Sequence, residues 1–164
     1  MGIIFYNPSI NNLNTNSKIT PALYATLFHS QPISQTDVNN ETPFICNGLA
    51  PATYSEFPWQ LWNPQTSRIH PGSLNEKYTL RIRFILSSQQ ATVATVKLYV
   101  PESSTLIYQK DFQPLKLIDA VFSEEFSFYS GRNFLQYGAL LTIAATNVIS
   151  EIKQPNLYFV RLAK

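Results

Sequence analysis

The segment YTLRIRFIL, residues 78–86, decides how the rest of the chain is read. Tyr78, Leu80, Ile82, Phe84 and Leu86 fall on one side of it, and Thr79, Arg81 and Arg83 on the other. A strand sends successive side chains to opposite faces, so this period of two marks a strand with one apolar face. VATVKLYV at 93–100 repeats the pattern, with Ala94, Val96, Leu98 and Val100 inward, Thr95 and Lys97 outward, and Pro101 ending the ladder. TLIYQKDF at 105–112, FSEEFSFY at 122–129, ALLTIAAT at 139–146 and LYFVRL at 157–162 complete the series. Turn chemistry separates them at Ser87 to Gln90, Pro101 to Ser104, Ser130-Gly131-Arg132-Asn133 and Gln154-Pro155-Asn156. Six strands in about 85 residues, with turns roughly every ten, are the signature of a sandwich or barrel.

The texture changes near residue 76. Before it, Pro8, Pro21, Pro32, Pro43, Pro51, Pro58, Pro64 and Pro71 each remove a backbone donor and push the preceding residue to an extended conformation, so helices can hardly form there. ALYATLF at 22–28 reads as a strand, and the region 44–62 supplies one more, for about eight in all. The predicted fold is all-β: a single antiparallel β-sandwich over 21–164, most regular at 78–162, preceded by an extended arm over 1–20. Within that arm the Asn-rich NNLNTNS at 11–17 connects the apolar IIFY at 3–6 to the body. LIDAVFSEEF at 117–126 is the longest helical candidate, but it lacks a well-placed N-cap and runs into a Phe alternation, so a helical turn there is the weaker reading. No internal repeat of 20–50 residues is visible.

Composition narrows the function classes. At 164 residues there is room for one core. Hydrophobic residues reach 45% and aromatics 13%, too many for a disordered chain, while charged residues at 13% fall well below the usual quarter. The surface is therefore mainly Asn, Gln, Ser and Thr, and with a net charge of only +2 it repels its own copies weakly, which suits packing against other protein. The twelve Lys and Arg are scattered, so nucleic-acid binding is not expected. The N-terminus MGIIFYNPSINN has neither a charged n-region nor a continuous apolar run, and no segment approaches the length of a transmembrane helix, so neither secretion by a signal peptide nor a membrane partner is expected. The myristoylation pattern fails as well, for no Ser or Thr stands at the sixth position. Asn40-Glu41-Thr42 fits a glycosylation pattern that carries little weight without export.

Catalytic and metal chemistry find few candidates. His29 and His70 are the only imidazoles, the second in the turn RIHPGS, and each reads as a solvated or turn-capping side chain. Two His and the single Cys46 lack metal-site spacing, and Cys46 between Ile45 and Asn47 reads as a small buried hydrophobe, so neither metal nor cofactor is expected. Glu124 and Glu125 are adjacent carboxylates, but neighbours on a strand point to opposite faces and cannot form an acid/base pair. Glu124 shares the face of Phe122, Phe126 and Phe128; it is either a solvated sheet-edge residue or a buried one paired with Arg81, Arg83 or Arg161 or relieved by a bulge. The five glycines form no phosphate loop, and no catalytic residue is assigned.

YSEFPWQLWNP at 54–64 concentrates Tyr54, Phe57, Trp59 and Trp62. Three uses stand open: a core strand with Phe57, Trp59 and Leu61 inward, a subunit interface, or a platform on which sugar rings stack.

FSFYSGRNFLQYGALLTIAA followed by LYFVRL resembles the C-terminal strands of jelly-roll modules found on bacteriophage particles, as head decoration, spike or fibre components. The resemblance covers residues 78–164 and has no diagnostic motif. It implies a jelly-roll-like sandwich that assembles as a homotrimer and grips other capsid or tail proteins through an N-terminal extension, here Ile3, Ile4, Phe5 and Tyr6. Such an apolar tip either adds a strand to a neighbour or pairs with its own sheet. The functional expectation is a non-enzymatic virion structural protein, made in the host cytoplasm and located in the virion. The alternative is an attachment module that binds a host surface glycan through Tyr54, Trp59 and Trp62.

Overall fold

The computed structural model describes residues 22–28, 41–44, 54–63, 65–88, 92–113, 119–147 and 149–162. Eleven strands run through them: β1 (Leu23–Phe28), β2 (Thr42–Pro43), β3 (Tyr54–Ser55), β4 (Trp62–Asn63), β5 (Arg68–Ile69), β6 (Lys77–Ser88), β7 (Ala94–Val100), β8 (Thr105–Phe112), β9 (Ala120–Tyr129), β10 (Ala139–Ala145) and β11 (Ile149–Arg161). A short helix, α1 (Arg132–Tyr137), lies between β9 and β10. The strands form two antiparallel sheets, one in the order β3-β1-β11-β6-β9 and the other in the order β4-β5-β10-β7-β8, with β2 also paired to β10. After residue 76 the chain crosses between the sheets at nearly every connection, so strands adjacent in sequence mostly face each other across the core.

Alternation puts the core where the sequence reading expects it. Leu80, Ile82, Phe84 and Leu86 of β6 are buried against Ala94, Val96, Leu98 and Val100 of β7 and Leu141 and Ile143 of β10. Each large aliphatic or aromatic side chain so buried contributes about 1.5–3 kcal/mol. Thr79, Arg81 and Arg83 face outward, where Arg81 meets Glu125 of β9 at 2.6 Å. Both partners of that pair are half exposed, so it contributes little to stability.

Three expectations are corrected in detail. Gln154-Pro155-Asn156 is no turn: it lies inside the thirteen-residue β11, as a register shift between Lys153 and Asn156 opposite β6. Pro155 cannot donate to a ladder, and a bulge lets the strand continue past it. The helical alternative at 117–126 gives way to β9, which begins at Ala120, with 114–118 outside the described residues. The helix occurs instead at Arg132–Tyr137, where the sequence reading has a turn, and it buries Phe134. Among the described residues, the expected strand of the region 44–62 is represented by the two-residue strands β3 and β4, with the equally short β2 and β5 on either side; 45–53 lie outside the described residues. The arm residues Ile3, Ile4, Phe5 and Tyr6, with Cys46, His29 and Asn40, lie outside the described residues.

Gly138 ends α1 with φ at +76°, its N–H bonded to the Phe134 carbonyl at 2.9 Å. A Cβ there would meet the His70 ring at 2.6 Å. The substitution Gly138→Ala is expected to cost about 2 kcal/mol or more, from backbone strain and crowding together. Urea titration should show a lowered midpoint at unchanged slope. An unchanged midpoint would mean that His70 gives way freely.

Candidate functional site

One end of the sandwich holds the two buried charged side chains found among the described residues. Here β6 begins, β9 and β11 end, and β8 begins close by. Glu76 is 5% exposed and Arg161 is 8% exposed, and they pair at 3.1 Å. The Glu76 carboxylate also accepts the Tyr78 hydroxyl at 2.5 Å and the Ser73 N–H at 2.9 Å. Burial alone pushes this carboxyl up, but the hydrogen bonds from Tyr78 and Ser73 and the Arg161 charge outweigh it and hold it below its ordinary value. Tyr78 is driven the other way, first by burial and then by the Glu76 carboxylate. Ser130 closes the network: its hydroxyl accepts the Glu76 N–H at 2.8 Å and donates to the Ser73 carbonyl at 2.6 Å. The Arg161 guanidinium lies over the Trp59 ring at 5.6 Å. A buried charged pair adds little net stability by itself, but removing one partner leaves an uncompensated charge. The Ser130 hydroxyl, bonded to the Glu76 N–H and the Ser73 carbonyl, holds the turn after Tyr129 that leads into α1.

That turn forms one wall of an open groove of about 600 Å³. Thr105, Leu106 and Ile107 of β8 form the opposite wall, with Phe128 and Phe134 among the lining residues and Tyr129, Arg132 and Asn133 along the margin. β8 and β9 are the edge strands of different sheets, so the groove lies along the open side of the sandwich. Farther along, the same side is closed by side chains alone. Tyr108 stacks on Phe126 with centroids 3.6 Å apart, Lys110 pairs with Glu124 at 2.5 Å, and Phe112 meets Phe122 edge-on at 5.2 Å. Glu124 is therefore neither fully solvated nor paired with Arg81, Arg83 or Arg161. Its partner comes from the other sheet, because β9 is an edge strand whose inward face looks across at β8. Burial and then the Glu124 charge raise the Tyr108 hydroxyl above its ordinary range.

The aromatic segment at 54–64 divides. Phe57 and Trp62 are each 7% exposed and belong to the core, while Trp59 is partly buried. Trp59 packs edge-on against Phe57 at 5.1 Å and donates its indole N–H to the His70 carbonyl at 3.1 Å, and a Cβ on Gly72 would strike its ring. Tyr54 belongs to β3, paired with β1. Phe57, Trp59 and Trp62 thus do not make one exposed platform; alternation and the turn at Pro58 spend them on packing. His70 is a packing element too: burial first, then the Arg68 charge, lowers its imidazole below its ordinary value. Among the described residues no three His, Cys, Asp or Glu side chains converge as metal ligands, and no helix is long and apolar enough to cross a membrane.

Sequence reasoning missed Glu76, Ser130 and the groove. Glu76 and Arg161 are 85 residues apart, a separation that no local pattern spans. The groove did leave a trace: Tyr129 follows the inward Phe128, so alternation turns it outward, and it is 64% exposed.

No protein-family model matches the chain, and no curated protein matches it in sequence. Solved structures do resemble it. The PRD1 vertex protein P5 superposes with a TM-score of 0.53 at 10% identity, over 85% of this chain and 96% of that one. The chain has a jelly-roll fold. The jelly roll is similar also to murine APRIL, with a TM-score of 0.51 at 12% identity over 87% and 100% of the two chains. Likewise it resembles the Eiger TNF from S. frugiperda, at 0.50 and 13% identity over 88% and 95%. At such identities the likeness is one of fold, and the jelly roll by itself assigns no activity.

Proposed function

We propose that this jelly roll is a non-enzymatic structural protein of a virus particle that assembles with its own copies and with other capsid or tail proteins. The observation that carries the reading is the fold itself, shared over 96% of the length of the PRD1 vertex protein P5. Low surface charge adds support, because weakly charged faces associate at little electrostatic cost. The bacteriophage setting, a head-decoration or tail-fibre position, the homotrimer, and an anchoring arm at Ile3, Ile4, Phe5 and Tyr6 are parts of the same proposal.

The self-association surface is the outer face of the sheet containing β1 and β11. Tyr24 of β1 stacks on Tyr158 of β11 with centroids 6.3 Å apart, and Tyr24 is exposed. Val160 shares that face by alternation. Exposed Tyr side chains are enriched at interfaces because they bring large area at low entropic cost.

Light scattering on the intact chain is expected to give about 56 kDa, three times the monomer mass of 18.6 kDa. Tyr158→Asp should reduce it to monomer without unfolding, and removal of residues 1–17 should leave it trimeric while preventing incorporation into particles. A monomeric chain at assembly concentrations, or full incorporation without the arm, would contradict the proposal.

A further inference from the structure

The groove between β8 and β9 has a composition that the assembly reading does not use. No acidic residue lines it. Arg132 stands at its margin, exposed, whereas Arg68, Arg81 and Arg161 each have a carboxylate partner. A second cation, Lys77, lies 5.9 Å from the Tyr129 ring on the next strand. Asn133 reaches the Thr105 hydroxyl at 3.4 Å, and that hydroxyl is tied to Ser103 at 2.8 Å, so amide and hydroxyl are held together across the groove. Beside these polar groups are two apolar side chains that the fold leaves in solvent, Tyr129 at 64% and Leu106 at 56% exposed.

We propose that this groove is a binding site for an acidic saccharide, with the sugar's carboxylate on Arg132, its apolar face on Tyr129, and its hydroxyls on Asn133 and Thr105. A planar guanidinium is the side chain best matched to a carboxylate, since it donates two parallel hydrogen bonds. An exposed aromatic ring offers the flat apolar surface that a pyranose face covers, and neutral amide and hydroxyl groups exchange hydrogen bonds with sugar hydroxyls without a charge penalty. The volume falls within the roughly 300–1,000 Å³ usual for small-molecule sites. The wall is also set in place beforehand, because Ser130 of the buried network anchors the turn between Tyr129 and Arg132. Binding therefore loses little to loop ordering. A neutral sugar would leave the Arg132 charge unanswered, which is why an anionic one is favoured. This inference stands apart from the assembly proposal and fails or holds separately.

The experiment is a titration of the full chain with sialyllactose, digalacturonate and neutral lactose, followed by calorimetry and by saturation-transfer NMR. At least one acidic sugar is expected to bind at least about tenfold more tightly than lactose. Arg132→Gln should reduce that acidic sugar to the lactose level while leaving lactose itself unchanged, and Tyr129→Ser should abolish both. Both side chains are exposed, so circular dichroism and urea midpoints should match the unsubstituted protein. Equal binding of acidic and neutral sugars, no binding to any of the three, or an unaltered titration in Arg132→Gln would overturn the proposal. So would a drop in solution mass on Tyr129→Ser, which would identify the groove as a contact between copies.

Discussion

Replacing Glu76 by Gln is expected to cost about 3–5 kcal/mol of folding stability, because it strips a buried guanidinium of its carboxylate. Against a typical total of about 5–15 kcal/mol the loss is large. Arg161 would keep its place over Trp59 but lose the charge that balances it, and Tyr78 and the Ser73 N–H would meet a neutral acceptor. The pH dependence carries a sign that identifies the cause. Glu76 titrates below its ordinary value in the folded protein, so its contribution is fully present above the unfolded carboxylate pKa of about 4. It is lost as pH falls through the lower folded value. The unsubstituted protein should therefore lose stability on acidification below about pH 4, while Glu76→Gln, already without this contribution, should lose less over the same window. Urea midpoints at pH 7 and pH 3 make the comparison. A substitution effect of the same size at both would show that the carboxylate's charge is not what matters.

Phe84→Ala should cost as much by a different route. Phe84 is buried in β6, and its ring meets Phe44 at 5.7 Å, Phe112 at 5.8 Å and Phe122 at 5.4 Å. Those partners come from both sheets and from the strand pair β8 and β9, so one ring fills the space where three parts of the fold meet. Truncating a buried Phe typically costs about 3–5 kcal/mol, the transfer loss plus the cavity left behind. For a chain of this size that corresponds to a fall in Tm of roughly 10 °C. Phe84→Leu retains most of the volume and should cost less than half as much. Calorimetry separates the two variants; equal, small shifts would mean that the surrounding rings collapse into the gap.

The strands from β6 onward were legible because each carries its own signature. Alternation across 78–86 and 93–100 names the inward residues one by one, and burial follows that list from Leu80 to Val100. What the sequence hid depends on distance or brevity. Gln154-Pro155 reads as a turn because a bulge and a turn use the same residues, and only the partner strand β6 tells them apart. The six residues of α1 are too few to show a helical period. Alternation left Glu124 open between a solvated sheet edge and an inward position, and its partner Lys110 follows from β8 and β9 being edges of different sheets, which is a property of topology. Trp59 and Trp62 attracted a binding role because exposed and buried indoles look alike in one dimension.

The closure between β8 and β9 has a mechanical meaning. These two strands share no ladder: Tyr108 on Phe126, Lys110 on Glu124 and Phe112 on Phe122 hold them face to face. Separating them would break no backbone hydrogen bond, whereas parting β6 from β9 or β7 from β8 would unzip a full register of pairs. Along this margin the two sheets are thus joined by side chains alone, and a substitution at Phe122 or Phe126 would alter how the sheets meet while leaving every ladder within them intact.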